Sequence, residues 1–169
     1  MAIKSILLPT DGRESTWEIL EAALLVARRF ESHIQVLHVS EGALSDGRGL
    51  HLPEKLRKSA RIEERRILQQ LADDISAGVT AFAKKHRVPL CDSPAEKQKG
   101  VSMAFHHEHG SVRDTLVNWS RMVDATAVMR PTHFGKFIRR SISESRLDAL
   151  MLHSGSPVIL VPPGWEVHR

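Results

Sequence analysis

Two short apolar stretches separated by one amphipathic stretch constrain the fold of this chain most strongly. Residues 3–8 and 34–39 are apolar runs bounded by turn residues, a pattern typical of strands that helices cover on both faces. The intervening STWEILEAALLVARRF repeats apolar side chains at helical spacing, and Ser15 and Glu18 form a capping box at its start. A strand, a helix and a strand within about forty residues predict a right-handed βαβ unit and a parallel sheet.

The rest of the chain continues this alternation. A long helix is predicted from Pro53, and alternating polar and apolar residues from Val101 predict an edge strand. A third helix after Gly110, a strand at 125–129, a helix opened by a second capping box and a strand in SPVILVPP complete the pattern. The inward face of the long helix is predicted to comprise Leu56, Ala60, Ile67, Leu71, Ile75, Val79 and Phe82, and the second capping box is Ser141 with Glu144. Five strands and four helices predict an α/β, doubly wound, Rossmann-like parallel sheet, with ligands bound beyond the carboxyl ends of the strands.

Composition sets the class of protein. A chain of 169 residues that is 41% hydrophobic can bury one core, so we predict one domain at 1–163 and a tail at 164–169. The single Cys91 excludes an internal disulfide, and the start of the chain lacks a leader pattern, so a cytoplasmic location is expected. No apolar run reaches the roughly 18 residues of a membrane span. The net charge of +4 comes from basic residues scattered among 20 acidic ones, which argues against a nucleic-acid partner.

Four segments together resemble a universal stress protein domain. They are ILLPTDG, IQVLHVS, HGSVRDTLVNWSRMVDATAVM and RSISESRLDALMLHSGSPVILVPP, and the resemblance extends over essentially the whole chain. It implies a five-stranded parallel sheet of order 3-2-1-4-5 and a homodimer that pairs through the last strand. The last strand is also apolar and β-branched, and an unpaired apolar edge attracts another chain.

The resemblance also implies a nucleotide site. In members that bind nucleotides, the position of Asp11 lies near adenine and the backbone around Val39 lines the site, so Thr10, Asp11, Gly12 and Val39 are candidate ligand residues. From the residues alone, two roles for Asp11 stay open. Its carboxylate could accept a hydrogen bond from an adenine amino group or a ribose, or it could close the turn in which Gly12 supplies an unusual backbone angle.

The loop that would bind phosphate departs from the family pattern. It reads RPTHFGKFIRRSIS, so that Arg130 and His133 occupy expected glycine positions and Arg140 replaces the glycine before Ser141. Only glycine readily adopts the positive φ that brings backbone N–H groups against a phosphate, so we expect the usual phosphate cradle to be absent. Two interpretations of this loop stay open. Its basic side chains could form an anion site with Ser141 and Ser143 at the start of the last helix, or they could simply be solvated. The basic residues are Arg130, His133, Lys136, Arg139, Arg140 and Arg146.

Other candidate chemistry is weak in this sequence. In FHHEHG, His107 and His109 can share one face of a strand, but two ligands do not close a metal site, so none is predicted. His38 is interpreted as a hydrogen-bonded core or cleft residue, and no nucleophile motif or P-loop is present, so no catalytic residue is proposed.

Two functional hypotheses follow. The first is a stress-response regulatory or interaction module with an unidentified protein partner, no strong catalytic activity and weakened or remodelled nucleotide binding. The alternative is a genuine ATP- or AMP-binding domain with an arginine-rich phosphate loop and slow ATP hydrolysis.

Overall fold

Five parallel strands and four helices alternate along the chain. The computed structural model describes residues 3–42, 53–92, 100–130 and 142–165, and the side chains in those ranges apart from residues 142–146. The strands are β1 Ser5–Thr10, β2 His33–Ser40, β3 Ser102–His109, β4 Ala125–Met129 and β5 Val158–Val161. The helices are α1 Ser15–Phe30, α2 Glu54–His86, α3 Val112–Ser120 and α4 Ile142–His153. The sheet order is β3-β2-β1-β4-β5 with every pair parallel, which confirms the predicted fold and the predicted edge position of β3.

The sheet is covered by two helices on each face. Successive residues of β1 point to opposite faces, so Ile6 and Leu8 belong to one hydrophobic cluster and Leu7 belongs to another. The first cluster is built with α1 and α2, and the second with α3 and α4. This burial of both faces explains why the central strands are continuously apolar in sequence.

The first half of α2 differs from the sequence prediction. Ile75, Val79 and Phe82 are buried as expected, but Leu56 and Ile67 are 58% and 56% exposed. A helix of 33 residues is about 50 Å long, whereas an eight-residue strand spans about 26 Å. The predicted inward face is therefore wrong over the first turns of α2, because the helix is longer than the sheet that it covers.

The capping box at the start of α1 is also a wrong prediction. The N-cap residue is Glu14, and the N–H groups of Thr16 and Trp17 donate to backbone carbonyls of the preceding turn. No side-chain hydrogen bond caps the start of the helix. The carboxylate of Glu18 accepts a hydrogen bond from Gly164 N at 3.0 Å instead, which attaches the segment after β5 to α1. The second predicted box, Ser141 with Glu144, lies outside the described side chains.

A glycine allows α1 to pack closely against α2. An ideal Cβ on Gly78 would lie 2.4 Å from Cη2 of Trp17 and 2.9 Å from its Cζ2. The indole also stacks on Phe82, one turn further along α2, with ring centroids 6.4 Å apart. Gly78 is therefore a packing residue within a helix.

The amino end of the sheet is tied by one carboxylate. Asp124 Oδ2 accepts hydrogen bonds from Lys4 N at 2.8 Å, Ser5 N at 2.9 Å and Ser5 Oγ at 3.0 Å. The backbone hydrogen bond from Lys4 is the largest cause that lowers the pKa of Asp124. Asp124 thus joins the start of β4 to the start of β1.

Candidate functional site

A cleft of about 530 Å³ opens at the carboxyl ends of β1, β2 and β4. The chain proceeds from β1 to β2 on one side of the sheet and later returns to β4 on the other side, so the strand order reverses at this point. Open α/β sheets bind ligands at such a reversal, and the volume lies within the range of small-molecule sites. The cleft is therefore the candidate functional site.

Four of the predicted site residues line this cleft. Thr10, Asp11, Val39 and Arg130 belong to its walls, although they come from three separate parts of the chain. Arg140 and Ser141 lie outside the described residues, and Ser143 lies in α4 with its side chain outside them. The structure thus brings the turn that contains Asp11 and the end of β4 together at one cleft.

Asp11 closes the turn between β1 and α1. Its Oδ1 accepts a hydrogen bond from Arg13 N at 3.2 Å, and its Oδ2 lies 3.2 Å from Arg13 Nε. The side chains of Asp11 and Arg13 are 40% and 79% exposed, so the ion pair contributes little to stability. A ligand could therefore displace Arg13 from the carboxylate at low energetic cost.

Gly12 lies behind this turn. Its φ of +79° is in the region that favours glycine, and an ideal Cβ would lie 2.8 Å from Ile75 Cγ1. Gly12 N also donates to Thr10 Oγ1 at 3.0 Å, and that oxygen lies 2.7 Å from Thr16 Oγ1. These contacts fix the turn that presents Asp11, and the unusual backbone angle expected at Gly12 is confirmed.

A group of three histidines and one serine, which we call the histidine network, lies beside the cleft. Its members are His38 and Ser40 on β2 and His107 and His109 on β3. Ser40 Oγ lies 2.8 Å from His107 Nε2 and 3.3 Å from His38 Nε2, while His38 Nδ1 contacts the carbonyl oxygen of Thr10 at 3.0 Å. His107 also packs against His109 with ring centroids 4.4 Å apart.

Sequence reasoning missed the histidine network, since it considered the two strands separately. The register pairs His38 with His107 and Ser40 with His109, and this pairing places the four side chains on the face covered by α1 and α2. His106 points to the other face and packs on Trp119. In the described ranges, no group of three or more His, Cys, Asp or Glu residues is arranged to hold a metal ion.

Comparison with known proteins identifies the family. A model of the universal stress protein family matches residues 2–162. This chain belongs to the universal stress protein family. No curated protein sequence matches it significantly.

Solved structures of similar fold include other universal stress proteins. UspA from Lactobacillus plantarum is 14% identical, with 95% of this chain and 99% of that chain covered and a TM-score of 0.54. The hypothetical protein MJ0577 is 17% identical over 98% of this chain and 100% of its own, with a TM-score of 0.61. A universal stress protein in complex with cAMP is 14% identical, covers 95% and 98%, and has a TM-score of 0.51. At these identities the likeness shows the fold.

The cleft of this universal stress protein has mixed charge. Arg13 and Arg130 line it together with Asp11, Glu18 and Glu41. The backbone N–H of Arg130 donates to Val161 O at 2.7 Å, which continues the β4–β5 ladder by one residue. Arg130 is thus held by the sheet at the point where the loop of altered sequence begins. Among the described helices of this family member, none is both long and apolar enough to cross a membrane.

Proposed function

We propose that this universal stress protein domain is a cytoplasmic regulatory module that binds an adenine nucleotide weakly in the cleft and has no strong catalytic activity. The observation that supports it is the common position of Asp11, Val39 and Arg130 on the walls of one cleft. A similar solved structure is a complex with cAMP, which agrees with a nucleotide ligand. Weak binding follows from the arginines in place of phosphate-loop glycines.

Thermal unfolding in the presence of ATP, AMP or cAMP tests this proposal. A ligand that binds only the folded state stabilises it by about 1.4 kcal/mol at ten times its Kd, which raises the melting temperature. Asp11→Ala should remove most of that rise. Arg29→Ala, at an exposed position at the far end of α1, is the matched control and should leave the rise unchanged. A melting temperature that millimolar nucleotide does not alter would refute nucleotide binding.

A second candidate is ATP or AMP binding of ordinary strength with slow hydrolysis. The position of Arg130 in the cleft wall favours it, because a guanidinium can bind phosphate oxygens in two places at once. The two candidates differ in the contribution of phosphate. If the phosphate site is degraded, adenosine and ATP should bind with similar affinity; if Arg130 contributes to a working phosphate site, ATP should bind more tightly and Arg130→Ala should abolish the difference.

We further propose that two copies pair through β5. Within the described residues, β5 pairs with β4 alone, and Leu160 is 39% exposed on it. The opposite edge is partly covered, because Cys91 N donates to the carbonyl oxygen of Met103 on β3 at 2.9 Å. Sedimentation velocity should show a dimer that Leu160→Lys converts to a monomer, whereas Met122→Lys, at a position exposed elsewhere, should leave the dimer intact.

A further inference from the structure

Two members of the histidine network are buried in the wall of the cleft. His38 and Ser40 line the cleft, and they are only 4% and 3% exposed. His38 and His107 stack with ring centroids 5.4 Å apart. Buried polar atoms need hydrogen-bond partners, so the protons of this network have to be arranged consistently.

When His38 and His107 are both neutral, their contacts determine which atom carries each proton. A carbonyl oxygen only accepts, so His38 Nδ1 donates its proton to Thr10 O and its Nε2 is left as an acceptor. Ser40 Oγ–H then donates to His38 Nε2, and Ser40 Oγ accepts from His107 Nε2–H. Every polar atom along this path has a partner of the right kind.

The same path accommodates one additional proton. If His38 becomes an imidazolium, both of its nitrogens donate, to Thr10 O and to Ser40 Oγ. The serine hydroxyl then turns and donates to His107 Nε2, with His107 in its other neutral tautomer. A second proton, on His107, would place Ser40 Oγ between two N–H donors. It would also leave the two stacked imidazole rings both positively charged.

The surroundings of His107 disfavour a second proton on the histidine network. Burial is the largest cause that lowers the pKa of His107, followed by the charges of His109 and His38; Asp73 of α2 and Glu108 oppose it. The charged or titratable groups around the network include Asp11 and Arg13 after β1, Glu18 on α1, Glu41 after β2, Asp73 on α2, Glu108 and His109 on β3, and Arg130 after β4. No single one of them forms a direct ion pair with His38 among the described contacts.

We propose that the histidine network is a proton-binding site that couples protonation to the binding of an anionic, phosphate-bearing ligand in the cleft. This inference rests on the proposed function, since it assumes a ligand in the same cleft. An imidazolium in the wall attracts an anion, and by thermodynamic reciprocity the anion favours uptake of the proton. The domain then binds its ligand more tightly as the pH falls from 8 to 6.

The test is the ratio of the ATP dissociation constants at pH 8 and pH 6. The terminal phosphate of ATP titrates in this range itself, but it does so equally for every variant, so a difference between variants reports the protein. His38→Asn removes the imidazole ring and leaves an amide nitrogen near the position of Nδ1 to donate to Thr10 O. Ser40→Ala is the second variant, because it deprives a protonated His38 of its acceptor. His106→Phe is the matched control on the opposite face of β3.

We expect the ratio to be at least about threefold larger in the wild type than in His38→Asn or Ser40→Ala, within the tenfold per pH unit that one proton allows. The ratio in His106→Phe should equal that of the wild type. Isothermal titration calorimetry in two buffers of different ionisation enthalpy measures the number of protons taken up per ATP bound. That number should be lower in His38→Asn and Ser40→Ala than in the wild type. Equal ratios in the wild type and His38→Asn would overturn the inference while ATP binding stands. Failure of ATP to bind at either pH would overturn the proposed function as well.

Discussion

Replacement of Gly78 by alanine distinguishes two predictions, one based on helix propensity and the other on packing. Alanine is better than glycine in a helix interior by about 1 kcal/mol, so a sequence argument predicts that Gly78→Ala stabilises the protein. The structure predicts the opposite, because the new Cβ would lie 2.4 Å from Cη2 of Trp17. Carbon atoms in favourable contact are about 3.5–4.0 Å apart, so one of the two groups has to move by more than about 1 Å.

Neither group moves cheaply. Trp17 is packed against the first hydrophobic cluster and stacks on Phe82, and Gly78 lies next to the fully buried Val79. Overpacking of this kind costs about 1–3 kcal/mol. After the gain in helix propensity is subtracted, we expect Gly78→Ala to lower the free energy of unfolding by up to about 2 kcal/mol.

Urea unfolding followed by circular dichroism measures this free energy. Ala77→Gly, at the exposed neighbouring position, is the control for propensity alone and should cost about 1 kcal/mol. Trp17→Phe removes the atoms that clash, so Gly78→Ala should be less harmful in the Trp17→Phe background than in the wild type. A gain of about 1 kcal/mol for Gly78→Ala, equal and opposite to the effect of Ala77→Gly, would refute the packing argument.

Three further changes test other parts of the structure. Asp124→Asn should lower the free energy of unfolding by about 1 kcal/mol at pH 7, since the carboxylate accepts from Lys4 and Ser5. Because the pKa of Asp124 is lowered in the folded state, the carboxylate contributes to the free energy of unfolding above its ordinary pKa of 3.8, and this contribution is lost as the pH falls through the folded pKa. The free energy of unfolding of Asp124→Asn should therefore fall less steeply in acid than that of the wild type. The pKa of His107 is lowered from 6.5 in the folded state, so the unfolded state binds a proton first as the pH falls. The free energy of unfolding should therefore decrease below about pH 6.5. A urea midpoint that stays constant from pH 7.5 to 5.5 would contradict this. Gly12→Ala should cost about 1–3 kcal/mol in the same urea assay, because alanine is strained at a φ of +79° and meets Ile75.

The position of the cleft could be predicted from sequence because it depends on regular features. Alternating strands and helices determine a parallel sheet, and ligands bind where the strand order reverses. Asp11 directly follows β1 and Arg130 directly follows β4, so both had to lie at the same end of the sheet. These are consequences of chain order, which a single sequence contains.

The failures came from contacts between elements. The capping box at Ser15 and Glu18 was a local pattern, and the tertiary contact of Glu18 with Gly164 displaced it. The histidine network depends on the β2–β3 register, which neither strand specifies alone. The packing role of Gly78 is set by Trp17, 61 positions earlier in the chain, and no local pattern indicates it.

The two ends of the sheet are secured by different means. At the amino end, Asp124 binds backbone N–H groups of the first strand directly. At the carboxyl end, Thr10 is held through the ring of His38, whose neighbours can exchange donor and acceptor roles. Substitutions that retune ligand preference should therefore be tolerated around the cleft where they leave the Gly12 turn and the histidine network intact, while the opposite end keeps the strands aligned. In directed evolution, beneficial changes should accumulate at the carboxyl end of the sheet.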